Sequence, residues 1–170
     1  TELKLQHFRN FPKRTLKFAV GTSLLFGENG SGKSNLLEAI YLLATGSSLR
    51  AQSEAELIAE GLPVATISGR VGSEKLSSVQ TLPPLPSGGQ PGRPEELLLE
   101  ISLARVAPPT TANASVKRRF KVNGVTRRRR DFAGKLRAVL FNPESLGLVT
   151  DSPSYRRNYF NLVLSQSSAG

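Results

Sequence analysis

Cysteine is absent from this 170-residue chain, and histidine occurs once, at His7. Without cysteine neither a disulfide framework nor a thiolate metal site can form, and one histidine cannot build a histidine-based metal centre. No apolar run reaches the roughly 18 residues that a spanning helix needs, so no membrane partner is expected. No basic-then-apolar leader opens the chain, and an intracellular, cytoplasmic location is the expectation. Aromatic residues make up only 6% and hydrophobic residues 38%, so part of the chain is expected to be loop around a single core. Acids are scarce beside bases: 13 Asp plus Glu against 23 Lys plus Arg, a formal charge of +10. That balance points to a polyanionic partner such as nucleic acid. The alternative is a basic surface that is merely solvated, and clustering decides between them.

Alternation places strands over Thr1–Phe11, Thr15–Val20, Val64–Val71 and Leu97–Val106. Ser23–Phe26 reads as a short strand buried in a sheet covered on both faces, and Ala138–Phe141 as another, stopped by Pro143. A buried helix is predicted from Lys33 to Thr45, with Gly46 as a left-handed C-terminal cap. Ser53-Glu54-Ala55-Glu56 is a capping box that starts a short helix ended by Gly61. Leu82–Pro94 carries five prolines and three glycines and reads as a flexible loop. Residues 107–115 read as a second loop. Val116–Arg129 reads as a hairpin around the type I′ signal Asn123-Gly124, and the segment from Pro153 to Ser165 as an amphipathic helix.

The motif that carries chemistry is Gly27-Glu28-Asn29-Gly30-Ser31-Gly32-Lys33-Ser34, a P-loop spacing between an apolar run and a helical pattern. Its glycines let backbone N–H groups from Asn29 to Ser34 turn toward a phosphate while the next helix aims its N-terminus at the same point. Lys33 then reaches the β- and γ-phosphates and the Ser34 hydroxyl ligates Mg²⁺; Asn35 follows as a further nucleotide-binding candidate. A glycine loop that only turns the chain would not explain Lys33-Ser34 after the last glycine. Hydrolysis also needs an acid at the end of a later buried strand. The nearest approach to one is Glu144, behind a proline, so no catalytic residue is assigned. Ser87-Gly88-Gly89-Gln90 matches the core of an ATP-binding-cassette signature, but Pro84, Pro86, Pro91 and Pro94 surround it and no helix follows.

Taken in order, "HFRNF", the Gly27–Arg50 stretch, Asn123-Gly124 followed by "DFAG", "VLFNPESLGLV" and "SPSYRRNYFN" resemble the RecF family of DNA-repair ATPases, whose heads are similar to those of structural-maintenance-of-chromosomes and ATP-binding-cassette proteins. The resemblance covers nearly the whole chain. It implies an α/β P-loop head lobe with a predominantly antiparallel β portion from about Val64 to Phe141 and a short C-terminal helix. Residues 1–150 would be the first lobe, 82–94 an insertion, and 151–170 the start of a helical arm. Arg9 and Asn10 match nucleotide-contacting positions, and Asn29, Gly30, Gly32, Lys33 and Ser34 the phosphate and metal positions. Asn142 and Glu144 fall where a loop senses the γ-phosphate, without the usual glutamine, and Asn161 stands where the family pattern has an acid. ATP and Mg²⁺ are the implied cofactors. Double-stranded DNA, a second copy of the chain in an ATP-dependent dimer, and a RecR-type recombination mediator are the implied partners, with recombinase loading at gapped DNA the implied role.

The second cluster is basic. Lys117, Arg118, Arg119 and Lys121 precede Asn123-Gly124, and Arg127, Arg128, Arg129 and Arg130 follow it. A two-residue turn puts Val122 opposite Val125, Lys121 opposite Thr126 and Arg119 opposite Arg128. Facing like charges destabilise a hairpin, which favours an anion such as the duplex backbone as their partner. A solvated edge hairpin is the plain alternative. Three functions compete: a DNA-repair ATPase head that binds ATP but hydrolyses essentially none in isolation, a P-loop small-molecule kinase or stand-alone NTPase, and a nucleic-acid-binding module with a relic P-loop.

Overall fold

A computed structural model describes residues 1–48, 50–72, 96–106 and 115–141, and positions 153, 154, 156, 157, 160, 161 and 164 of the last segment. The proline-rich stretch 82–94, most of the second loop, and Asn142 and Glu144 lie outside the described residues.

Six strands form one sheet: β1 (Glu2–Phe8), β2 (Phe11–Lys17), β3 (Val64–Gly72), β4 (Glu96–Arg105), β5 (Val116–Val122) and β6 (Val125–Arg127). Their order is β2-β1-β3-β4-β5-β6, and every pairing is antiparallel. The antiparallel portion therefore begins with the N-terminal hairpin, not at Val64. Helix α1 (Lys33–Thr45) covers one face, with a single 3-10 turn at Glu54–Leu57 and the short helix α2 (Arg129–Phe132) beside it.

The alternation of apolar side chains decides which face is covered. Leu3, Leu5, Ala65, Ile67, Leu99, Ile101, Leu103 and Phe120 point to one side and meet Leu36, Ala39, Leu42 and Leu43 of α1 in one core. Fully burying each large side chain contributes on the order of 2 kcal/mol. The approach of helix to sheet is close, because a Cβ on Gly69 would lie 2.9 Å from Leu43 Cδ1. Strict alternation would turn Phe8 outward with Gln6. The left-handed backbone of His7, φ 53°, interrupts the period, and Phe8 is fully buried.

Helix α1 has the predicted bounds, and Gly46 caps it at φ 70°, donating its N–H to Leu42 O. The Ser53 capping box is present, with both reciprocal hydrogen bonds, but the turn it starts is 3-10 and ends at Leu57 rather than at Gly61. The Asn123-Gly124 turn has φ of 50° and 80°, as type I′ requires. Its register pairs Val122 with Val125 and Lys121 with Thr126. The predicted Arg119–Arg128 pair does not form within the ladder, since β6 stops at Arg127 and Arg128 is the residue before α2. Stopping there removes the like-charge apposition. Positions 153, 154, 156, 157, 160, 161 and 164 are helical, as the amphipathic pattern predicts.

Two predicted strands are corrected. Ser23–Phe26 is irregular, with Leu24 and Phe26 83% and 87% exposed. Ala138–Phe141 is irregular too, with Val139 and Phe141 exposed. A buried strand needs ladder partners on its edges, and no described strand lies beside either segment. The second strand also starts earlier than Thr15: β2 begins at Phe11, so Arg9-Asn10 is a two-residue turn.

Candidate functional site

The site is built where that turn meets the start of α1. Gly27, Gly30 and Gly32 all have positive φ, of 152°, 82° and 98°, a region L-residues with side chains rarely adopt. Gly32 is buried and is the N-cap of α1, and its carbonyl accepts the first helical hydrogen bond, from Leu36 N at 2.9 Å. A Cβ there would lie 2.6 Å from Phe11 Cζ and 2.8 Å from Asn10 Nδ2. The hairpin turn thus leans on the last glycine of the loop. Asn35 Nδ2 donates to Asn10 Oδ1 at 2.9 Å and ties the first turn of α1 to the hairpin.

Lys33 Nζ donates to the carbonyls of Gly27 at 2.8 Å and Glu28 at 2.7 Å, which curls the loop over its own lysine. Ser31 N donates to Glu28 O at 3.3 Å. Asn29, Gly30, Ser31 and Ser34 are exposed, and the first turn of α1 contains no acid. Beside the loop lies a cleft of about 390 Å³, lined among others by Phe11, Lys13, Arg14, Phe26, Gly32 and Lys33. The N–H groups at a helix start have no intrahelical acceptor and carry partial positive charge. Together with Lys13, Arg14 and Lys33 they make this cleft suited to a polyphosphate. Exposed Ser34 stands where a hydroxyl can ligate a divalent ion held by such phosphates.

Arg9, expected among the nucleotide contacts, is paired with acids of the chain. Its Nε and Nη2 donate to Glu38 Oε2 and Oε1, each at 2.9 Å, and Nη1 approaches Glu56 at 3.5 Å. Hydrogen bonding to Glu38 holds the guanidinium above the ordinary arginine range, against the opposing effect of burial. Glu38 is buried on α1 and also accepts from Ser48 Oγ. Arg9 N donates to Leu57 O and His7 O accepts from Ala59 N, so the turn is held by the 3-10 segment as well. Alternation starts the second strand at Thr15, and so it misses Lys13 and Arg14 as cleft residues. The signal was available in "FRNF", where Asn10 marks a turn between two aromatic residues.

The basic hairpin splits into two sets. Arg118 pairs with Glu54 and donates to Gly46 O at 2.9 Å, and Arg129 donates to Ser47 Oγ at 2.9 Å and to Thr45 O at 3.5 Å. Both therefore serve the C-terminus of α1, where cations are favoured. Lys121 pairs with Glu100 at 2.7 Å, and Arg130 lies 3.6 Å from Asp131. Arg119, Arg127 and Arg128 are exposed and have no ion-pair partner among the described residues. Among the described residues no group of three or more His, Asp or Glu side chains could hold a metal ion, and no helix is long and apolar enough to cross a membrane.

Residues 1–147 match the RecF/RecN/SMC N terminal domain family. A DNA replication and repair protein RecF from Herpetosiphon aurantiacus is 37% identical over 98% of this chain and 41% of its own length. One from Limosilactobacillus fermentum is 36% identical over 99% of this chain and 38% of its own. The chain thus spans about two-fifths of the length of these relatives. A solved structure of the recombination mediator protein RecF with ATP, in the RecFOR pathway, superposes with a TM-score of 0.75 at 28% identity, over 97% of this chain and 38% of that one.

Proposed function

The chain belongs to the RecF/RecN/SMC N-terminal domain family, and from that membership we propose that it is the ATP-binding lobe of a DNA-repair ATPase of the RecF type. The observation that carries the reading is the cradle itself: a Gly32-capped helix start, Lys33 curled under the loop, and Asn10 and Asn35 joined across it. The residues fit the cofactor. The glycines hold conformations a side chain would oppose, and the cleft beside them is lined with cations. A relative of the same family has been solved with ATP.

ATP bound with Mg²⁺ supplies a transferable γ-phosphoryl group whose charge the metal offsets. The chain's own residues then divide the work. Backbone N–H groups of the loop and of the start of α1 take the phosphate oxygens. Lys33, now bonded to the carbonyls of Gly27 and Glu28, would hold the phosphates, and the Ser34 hydroxyl would hold the metal. Asn10 and Asn35 fix the wall of the cleft, and Arg9 acts through Glu38 as a positioning residue for that wall. The buried acid of the region, Glu38, is committed to Arg9 and Ser48. We assign water activation and the trans-acting signature to residues outside the described ones and to a second copy of the protein. Residues 1–150 would be the first lobe and 151–170 the beginning of an arm. ATP-dependent dimerisation would clamp double-stranded DNA, and a RecR-type mediator would connect the clamp to recombinase loading.

Titration with a fluorescent ATP analogue and Mg²⁺ tests the core of this. Lys33→Ala is expected to weaken binding at least about tenfold, equivalent to ~1.4 kcal/mol. Ser34→Ala should lose the Mg²⁺ dependence. Turnover should rise faster than linearly with protein concentration. Unchanged affinity in Lys33→Ala would sink the reading. Turnover strictly proportional to concentration in this chain alone, abolished by Lys33→Ala, would favour a stand-alone NTPase.

A further inference from the structure

We propose that the face of the sheet opposite α1, at the end that carries the Arg9–Asn10 turn, is a seat for the phosphate backbone of duplex DNA, with Lys117 and Arg119 as its principal cations. The inference rests on the reading that this protein binds duplex DNA, and it places the contact.

Strand register draws the surface. Lys13 lies opposite Gln6, Gln6 opposite Thr66, Thr66 opposite Ser102 and Ser102 opposite Arg119. The next row toward that end runs from Val64 through Ala104 to Lys117. Side chains at these positions alternate with the core residues and so stand on the opposite face. Three helical elements pack from the core side: Leu42 of α1, Leu57 of the 3-10 turn and Phe132 of α2 belong to the core cluster.

Neither of these two rows contains an acid. Among the described strand residues, the acids of the same face are Glu2, Glu96 and Glu100, on rows toward the other end. Each has a cation: Lys4 at 2.8 Å, Arg70 at 3.6 Å and Lys121 at 2.7 Å. With Lys17, opposite Glu2, that part of the face carries four cations against three acids and is close to balance. Lys117 and Arg119 are exposed, and no acid pairs with them among the described residues. The basic charge of the hairpin is thereby sorted by strand parity. Arg118, on the core-facing side, caps α1 through Gly46 O, whereas Lys117 and Arg119 project from the open side.

Hydroxyl and amide side chains between the cations, Gln6, Thr66 and Ser102, add neutral donors of the kind that also contact phosphate and sugar. Strands lie about 4.8 Å apart, so the strip from β2 to β5 is roughly 19 Å across. That extent suits a polymer of phosphates more than one small anion. The two rows carry no aromatic side chain, and stacking platforms are what single-stranded nucleic acid requires. A duplex backbone, gripped without sequence reading, is the occupant that fits.

The test measures duplex affinity of the intact protein against salt concentration. Neutralising both cations, Lys117→Gln with Arg119→Gln, is expected to lower the slope of log affinity on log salt by about two, since each lost phosphate contact removes about 0.9. Arg70→Gln removes one charge from the nearly balanced end of the same face and should leave the slope unchanged. Thermal unfolding and nucleotide binding serve as controls for both variants and should match the unsubstituted protein. Duplex binding whose slope is unaltered in the double variant overturns the seat alone. An equal drop per charge in Arg70→Gln also overturns it, because the effect would then be bulk charge. No duplex binding by the unsubstituted protein at low salt overturns the seat together with the reading beneath it.

Discussion

Arg9 illustrates how one residue braces the site through its own ion pair. Its two hydrogen bonds to Glu38, both 2.9 Å, fasten a hairpin turn to the helix that follows the phosphate loop. The Glu38 side chain is only 1% exposed, so removing its cation strands a charge in the core. Arg9→Ala is expected to destabilise by about 3 kcal/mol, in the range for a broken buried pair, and denaturant unfolding reads that loss. Arg9→Lys keeps the charge but loses the fork, and should recover less than half of it. The sign of the pH dependence follows from the raised value at Arg9. A raised group contributes fully below its unfolded value and is lost only as pH climbs through the folded one. The arginine side of the pair is therefore intact at every ordinary pH and fails only in strong alkali. Gly32 makes the complementary case. Gly32→Ala meets Phe11 and Asn10 at under 3 Å with φ at 98°, so loss of nucleotide binding should accompany loss of stability.

At the scale of elements, ends and turns do most of the specifying. Helix α1 ends in a left-handed Gly46 whose Cβ position lies 3.0 Å from Arg129 Cγ. Gly46→Ala is expected to cost about 1–2 kcal/mol for the backbone alone, and a urea midpoint measured beside Ser53→Ala, at ~1 kcal/mol, ranks the two caps. The Asn123 side chain accepts from Leu98 N at 2.8 Å and its own N–H donates to Leu98 O at 2.8 Å, so the β5–β6 turn is sewn to β4. These elements were legible because cap and turn signals are local: Gly46, Ser53 and Asn123-Gly124 each act within a few residues. Arg9-Asn10 was legible in principle but was hidden by the apparent continuity of a strand through Phe11.

For the whole molecule, part of the described surface is apolar. Val20, Leu24 and Phe26 stand exposed beside the loop, and Val139 and Phe141 at the end of the described β portion. The chain matches about two-fifths of the length of its relatives, and cover from outside the described residues is the arrangement we expect. Leu24→Ser with Phe26→Ser should reduce hydrophobic-dye binding by the isolated 170-residue chain and reduce the stability of the intact protein. Dye binding unchanged in the first, or stability unchanged in the second, would refute that account.

The sequence by itself determined the phosphate loop, the helix behind it with both its bounds, the hairpin turn and the excess of positive charge, because each is written in adjacent residues. Only the tertiary structure decided which arginines are free. Arg118 and Arg119 are neighbours of the same type, yet one caps a helix and the other faces outward. Strand parity and the position of α1 make that choice, and neither is a property of the residues themselves. The same holds for Ser23–Phe26: an apolar run has the makings of a buried strand, but burial requires a partner edge, and partners are assigned by the fold.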